Sequence, residues 1–184
     1  MSERHYTYPY PRPILAADSA VFTLRDGALH VLLIERGHGP FEGDWALPGG
    51  WVDEDEPVDK AGARELFEET GLQNVSLRQV FAIGDPGRDP RGWCVTVVYI
   101  AVIDFKEHPL RPGDDARHAE WMPVNKLPPL AFDHAKVMRV AVQRLATHFA
   151  NPGAQLVAMP EHYTEDQLDC LWKNAERFLT TGQK

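Results

Sequence analysis

The sequence predicts a mixed α/β (α+β) fold: one mixed β-sheet flanked by helices. Three observations lead there. The chain has 184 residues, which sets a prior of about one domain. Its β-prone runs are interspersed with helical segments rather than segregated from them. Its helical segments are also punctuated by local start and stop signals. Apolar residues make up 43% and charged residues 25%, ordinary values that allow a packed core and exclude wholesale disorder.

The first thirteen residues, MSERHYTYPYPRP, are rich in Tyr and Pro and read as an extended arm (residues 1–13). Ile14–Leu24 and Leu29–Glu35 are β-prone runs joined around Arg25-Asp26-Gly27, the composition of a hairpin. A polar, glycine-rich stretch from His38 to Asp55 follows, with Trp45, Leu47 and a Pro48-Gly49-Gly50 turn. A helix is expected from about Pro57 to Thr70, with Pro57 at its first position and Gly71 at the left-handed position that stops it. Val75–Ile83 and Cys94–Ile103 read as two further strands around a turn-rich loop, GDPGRDPRG, from Gly84 to Gly92. A loop from Glu107 to His118 precedes a short strand at Ala119–Val124. Phe132 to Phe149 reads as a long helix, ended by Asn151-Pro152-Gly153. A last helix starts at Thr164, whose Gln167 three residues on completes a capping box. The expected organisation is an arm (1–13), one domain (14–150) and a C-terminal helical extension (151–184).

Charge and cysteine usage narrow the function. Nineteen basic against twenty-seven acidic residues give a net charge of −8, which argues against gripping nucleic acid or an anionic membrane. A phosphorylated substrate would then need a cation to neutralise the meeting of like charges. Cys94 and Cys170 are too few for a disulfide framework and stand in no metal-binding spacing. No apolar run approaches the ~20 residues that span a bilayer, and the N-terminus lacks a signal-peptide core. The expectation is a cytoplasmic protein without a membrane partner.

The segment from Gly50 to Leu72 carries the chemistry: G-x5-E-x7-R-E-L-x-E-E-x-G-L, with Glu56, Arg64, Glu65, Leu66, Glu68, Glu69 and Gly71 at fixed spacing. On a helix, Glu65, Glu68 and Glu69 fall at i, i+3 and i+4 and share an arc of about 100°. Ala63, Leu66 and Phe67 project from another arc, available for the core. Three carboxylates on one face repel one another unless something positive sits between them. Hard oxygen ligands of this kind suit Mg²⁺ or Mn²⁺ rather than zinc. Arg64, one turn before Glu68, can orient a carboxylate and relieve part of the repulsion.

Gly50–Leu72 resembles a complete Nudix box, and the likeness extends to Trp45-Ala46-Leu47-Pro48-Gly49-Gly50 before it and Glu120-Trp121 after it, covering about residues 14–149. The resemblance implies a mixed β-sheet sandwiched between helices and a metal-dependent hydrolysis of a nucleoside diphosphate linked to another moiety. It also implies metal ligation by Glu65, Glu68, Glu69 and the Gly49 carbonyl. Glu56 would be a supporting carboxylate, with Arg64 as partner to it or its neighbour. A further base would come from a later loop: Asp115, with Asp114 or Glu120 as alternatives and Glu69 as a competitor. Many relatives in the family are dimers, so a homodimer is expected.

The substrate class rests on finer likeness. Pro86 lies fourteen residues past Leu72, near the proline of ADP-ribose-specific Nudix enzymes. The wording of the Gly84–Gly92 loop and the Phe132-Asp133-His134 opening resemble ADP-ribose pyrophosphatases and the Nudix-derived regulators of NAD metabolism. The favoured reaction is ADP-ribose to AMP and ribose 5-phosphate. The alternatives are a nucleoside-triphosphate or dinucleotide pyrophosphatase, and a non-catalytic ADP-ribose-binding regulator. Arg88 and Arg91 are candidates to grip phosphate or ribose, and Phe41 and Trp93 to stack on the base; Trp45 and Trp121 read as packing residues. Met159–Leu168 resembles the entry to a winged-helix DNA-binding domain, but only a thin basic patch (Lys173, Arg177, Lys184) follows. DNA is therefore not an expected partner, and the last helix is assigned to packing or a dimer.

Overall fold

The computed structural model describes residues 7–111, 116–151 and 156–181. Seven strands form one sheet: β1 (Ile14–Arg25), β2 (Ala28–Arg36), β3 (Trp45–Ala46), β4 (Gly49–Trp51), β5 (Arg78–Ile83), β6 (Cys94–Val102) and β7 (Ala116–Pro123). The helices are α1 (Val58–Thr70), α2 (His134–Ala150) and α3 (Glu165–Thr181), with a 3₁₀ turn at Val124–Lys126. The order along the sheet is β3-β2-β1-β6-β5, with β4 added to β1 and β7 added to β2. β1 and β6 run parallel and the other pairs antiparallel, so the sheet is mixed as expected.

Alternation along the central strands sends side chains to opposite faces. Ala20 and Phe22 of β1, Val31 and Leu33 of β2, and Val98 and Ile100 of β6 join one core with Val137, Met138, Ala141 and Leu145 of α2 and Leu171, Ala175 and Phe178 of α3. Val21, Leu32 and Ala101 join the other core, with Leu66 of α1 and Leu72 just beyond it. Helices thus cover both faces of the sheet, and α3 packs on α2 and β2. The β1–β2 turn has positive φ at both Asp26 (50°) and Gly27 (72°), the geometry that matches a twisted two-residue hairpin.

Two local expectations shift. Pro57 caps α1 (φ −65°, ψ 138°) rather than occupying its first turn, because an extended ψ there lets the chain enter from the preceding turn. Gly71 ends α1 as expected, at φ 75° with its N–H donating to the Phe67 carbonyl. The rotation of α1 is the more consequential difference. Ala61, Gly62, Leu66, Glu69 and Thr70 are its buried residues, whereas Ala63 and Phe67 stay exposed. The helix turns a carboxylate, not its phenylalanine, toward the interior.

β1 divides its pairing between two partners, and that division makes the site. Its C-terminal part, Phe22–Arg25, pairs β2; its N-terminal part, Ala16–Asp18, pairs β4. Between them β2 diverges toward β3 and β7. The glycine turn of β4, the end of β2 and the N-terminus of α2 therefore meet beside Asp18.

Candidate active site

Arg64 organises the acidic face of α1. Its Nε and Nη2 donate to the two Glu56 oxygens, each at 2.9 Å, and Nη2 also donates to the Trp51 carbonyl at 3.0 Å. Nη1 donates to Glu65 at 2.7 Å and to Glu68 at 3.0 Å. Arg64 thus contacts Glu56, Glu65 and Glu68 together. These bonds draw the Glu56 carboxyl below its ordinary range. Burial pushes Glu65 above its range, against the pull of Arg64.

Glu69 occupies a different setting. It is 7% exposed, and its Oε2 accepts from the Gly49 N–H at 2.9 Å. Burial, reinforced by the negative charges of Glu65 and Asp18, pushes its carboxyl up to about 8 against the Gly49 hydrogen bond and Arg36. Gly50 is needed for close approach: a Cβ there would stand 2.5 Å from the Glu65 carboxyl. The glycine turn thus lies against both Glu65 and Glu69.

The fit to a divalent cation is one of donor chemistry. Among the described residues no three carboxylate, histidine or cysteine groups form a ready-made cage. Glu65 and Glu68 nonetheless converge on a single cationic nitrogen, Arg64 Nη1. Glu69, beside them on the helix, is a buried acid short of positive charge. All are hard oxygen donors of the kind Mg²⁺ and Mn²⁺ take. Asp114 and Asp115 lie outside the described residues. Glu120 is exposed on β7, paired in register with Leu33.

A cavity of about 40 Å³ opens next to the glycine turn, lined by Asp18, Gly49, Gly50 and Trp51 on one side and Arg36, Arg88, Asp89, Arg91, Phe132 and His134 on the other. Arg91 is bound twice over by Asp89, at 2.7 and 3.0 Å, which holds the Asp89 carboxyl below its usual range despite burial. The Arg91 guanidinium lies 4.7 Å from the Trp51 ring centroid and 5.5 Å from that of Phe132. Arg36 lies 4.9 Å from the same Phe132 ring. Burial, with the proximity of Arg91, lowers the Arg36 pKa against the opposing pull of Glu69, Asp89 and Asp18. His134 is buried and its Nδ1 accepts from the Leu47 N–H at 3.0 Å; its Nε2 faces Asp18 at 3.8 Å. Burial lowers its pKa, so the ring is neutral with its proton on Nε2.

The candidate substrate residues divide. Arg91 reaches the cavity. Arg88 lines it too, but its side chain is only 5% exposed and its Nε and Nη2 are spent on Asp133, at 3.1 and 2.7 Å. Phe41 sits one ring further out, edge-on to Phe132 at 4.7 Å. Trp93, half exposed, is absent from the cavity wall; the stacking ring near Arg91 is Trp51 instead. Trp121 is buried in the α1-side core. The sequence alone does not point to Asp18, Arg36 and Trp51, although a charged residue interrupting the apolar run Ile14–Leu24 and another just past Leu29–Glu35 are signals. A wider hollow of about 620 Å³ lies between Phe67, Glu68 and His108–Arg111. It gathers fewer charged groups than the small cavity, whose guanidinium groups could meet one anionic group at its mouth.

The NUDIX domain model matches residues 15–145. An "ADPR responsive transcriptional repressor NtrR" of Acinetobacter baylyi is 36% identical over 168 residues, 89% of this chain and 67% of the repressor. An "ADP-ribose pyrophosphatase" of Methanocaldococcus jannaschii is 40% identical over 130 residues, 71% of this chain and 73% of the relative. The crystal structure of Shewanella oneidensis NrtR complexed with a 27mer DNA matches 91% of this chain and 82% of its own, with a TM-score of 0.71 and 31% identity. The expectation that DNA is no partner is overturned by the repressor and by the DNA complex. Its physical basis was too coarse: a net charge summed over the whole chain says nothing about one face, and a basic patch was judged from a single helix. Among the described residues no helix is long and apolar enough to cross a membrane.

Proposed function

Because the chain belongs to the NUDIX domain family, we propose that it hydrolyses the diphosphate bridge of ADP-ribose, giving AMP and ribose 5-phosphate, with a divalent cation as cofactor. The observation that carries this reading is the meeting of two systems at one glycine turn. Gly49 bonds to Glu69 of the acidic helix, and Gly49, Gly50 and Trp51 line the arginine-bearing cavity. The identity with a pyrophosphatase named for ADP-ribose supports the substrate.

Glu65, Glu68, Glu69 and the Gly49 carbonyl would hold Mg²⁺ or Mn²⁺. When bound, such an ion neutralises the diphosphate and lowers the pKa of a coordinated water. Arg64 holds Glu65 and Glu68 on one side of the helix while tying Glu56 and the Trp51 carbonyl to it. Arg36 and Arg91 present guanidinium groups to the ligand's anionic oxygens, and Trp51 and Phe132 supply ring faces. Asp115, Asp114, Glu120 and Glu69 stay open as the base.

The test is AMP release from ADP-ribose in the presence of Mg²⁺, compared with nucleoside triphosphates, dinucleotides and NADH. Turnover of ADP-ribose well above the others is expected; preferred cleavage of a triphosphate or a dinucleotide would replace the substrate assignment. A second reading is favoured by the match to the repressor over 89% of this chain: an ADP-ribose-binding regulator. Tight ADP-ribose binding without turnover, together with ADP-ribose-sensitive DNA binding, would establish that reading in place of the first.

A further inference from the structure

Helix α2 opens on two residues that depart from local preference in the same place. Asp133 occupies the N-cap, where a carboxylate ordinarily accepts from a backbone N–H two or three residues on; its side chain makes no capping bond. Both its oxygens instead receive the Arg88 guanidinium, at 2.7 and 3.1 Å. Phe132, just before it, holds φ at 54°, a left-handed conformation costly for a bulky residue. Strained backbone of this kind persists where its surroundings over-determine it, and it clusters at functional sites.

Both departures serve the cavity wall. The strained Phe132 places its ring near both Arg36 and Arg91. Asp133 pins Arg88, and the next residue, Asp89, is the one that grips Arg91. One turn along α2, Lys136 ties the start of the same loop through Asp85 at 2.6 Å. The loop itself is made of turn residues, closed by long backbone bonds of 3.2 Å (Arg88 to Asp85) and 3.3 Å (Gly92 to Asp89). Its placement over the cavity thus depends on α2.

We propose that Asp133 is a positioning residue for ligand recognition: it gives up helix capping to hold Arg88, so that Asp89 and Arg91 face a nucleoside diphosphate sugar. This rests on the ADP-ribose reading of the cavity. A bound ligand would meet Arg91 already oriented, sparing the entropy of ordering a long side chain. Arg88 acts through the loop rather than by its own grip on phosphate.

The test uses the full chain and the paired variant Arg88→Met with Asp133→Ser, which removes both partners of the ion pair, leaves Asp18 facing His134 Nε2 at 3.8 Å, and restores a capping hydroxyl to α2. Its melting temperature is expected to stay near that of the wild type, while calorimetric affinity for the methylene-bridged, non-hydrolysable analogue of ADP-ribose with Mg²⁺ falls at least ~10-fold. KM should rise with kcat little changed. Adding Arg91→Ala to the paired variant should cost much less than Arg91→Ala costs the wild type, because Arg91 is already misplaced. Wild-type affinity in the paired variant, or losses that simply add, would overturn the proposal. Should the paired variant fail to fold, Asp133→Asn, which keeps shape and an acceptor but not the charge, is read in the same way. Hydrogen exchange of amides 84–92 separates the two layers of the argument. If the wild type does not bind ADP-ribose, the functional reading falls, and positioning is then judged by exchange alone: faster exchange in the variants sustains it and unchanged exchange refutes it.

Discussion

Glu69→Gln is the sharpest perturbation of the acidic face. Glu69 is 7% exposed and accepts the Gly49 N–H through Oε2 at 2.9 Å. Glutamine has nearly the same shape and keeps one oxygen for that bond, so the glycine turn and α1 retain their contact. The other end of the side chain changes sign in effect: a carboxylate oxygen able to ligate a cation becomes an amide N–H₂, a donor that a cation repels. Losing one charged ligand should lower kcat for ADP-ribose by at least ~10²-fold, about 2.7 kcal/mol of barrier. Stability should not fall, because a buried acid with a carboxyl pushed up to about 8 is replaced by a neutral group. The assay is steady-state AMP release at saturating Mg²⁺, with thermal melts on the same preparations. Turnover within a few-fold of wild type, in a variant that melts normally, would refute the assignment of Glu69 to the cation site.

Three further outcomes can be checked. His134→Asn keeps an acceptor for the Leu47 N–H but removes a titrating ring. The folded protein holds His134 below its ordinary 6.5, so the unfolded chain takes up a proton that the native state refuses, and wild-type stability should drop as pH falls below about 6.5, by at most about 1.4 kcal/mol per unit. Urea melts between pH 7.5 and 5.5 should show a shallower slope for the variant; parallel curves would contradict a buried neutral imidazole. Thr164→Ala removes the hydroxyl that accepts from the Gln167 N–H at 3.3 Å in the capping box and should cost about 1 kcal/mol, a melting shift of roughly 2–4 °C; an unshifted melt would mean that α3 does not unfold with the domain. Affinity for the methylene-bridged analogue of ADP-ribose, measured by calorimetry, should weaken at least ~10-fold when EDTA replaces Mg²⁺, and an equal affinity would show that the arginines suffice.

What was legible in the sequence was what local rules govern. The Asp26-Gly27 turn, the Gly71 stop and the Thr164–Gln167 box are set by residues adjacent in the chain, and each stands where its composition placed it. The spacing of Glu65, Glu68 and Glu69 likewise fixed a shared helix face, and Arg64 does bridge to it. Strands β3 and β4 were read only as a polar stretch, because elements of two and three residues exist through their partners β2 and β1, not through propensity. The rotation of α1 was missed for a related reason. Hydrophobic patterning favoured burying Phe67, but the Gly49 N–H and the glycine-lined approach draw Glu69 inward instead. A carboxylate bonded to the glycine turn here takes the place that the apolar pattern gives to phenylalanine, the kind of local conflict that marks sites. Asp18 and Arg36 were invisible as partners because they meet only where β1 exchanges β2 for β4.

On the proposed function, the charges around the cavity would let an acidic protein meet an anion without relying on its arginines alone. Arg36, Arg88 and Arg91 line it, but Arg88 is neutralised by Asp133 and Arg91 is held by Asp89. Asp18 faces Arg88 at 3.9 Å and adds to the negative potential felt by Glu69. His134, kept neutral by burial, contributes no positive charge. Arg36 is the cation without a carboxylate in hydrogen-bond contact, its Nε being spent on the Pro40 carbonyl at 2.8 Å. A ligand with a charged diphosphate therefore meets pre-oriented guanidinium planes whose charge is largely cancelled behind them. Such a wall supplies geometry and ring stacking more than net attraction. The missing positive charge has to arrive at the other side of the glycine turn, where Glu65, Glu68 and Glu69 are in excess over Arg64. Placing the acids on one side of Gly49–Gly50 and the paired arginines on the other would let one side orient the ligand while the other recruits the cation that neutralises it. A cavity lined by unpaired arginines would bind any polyphosphate; the proposed function asks this one for a cation and a shape together.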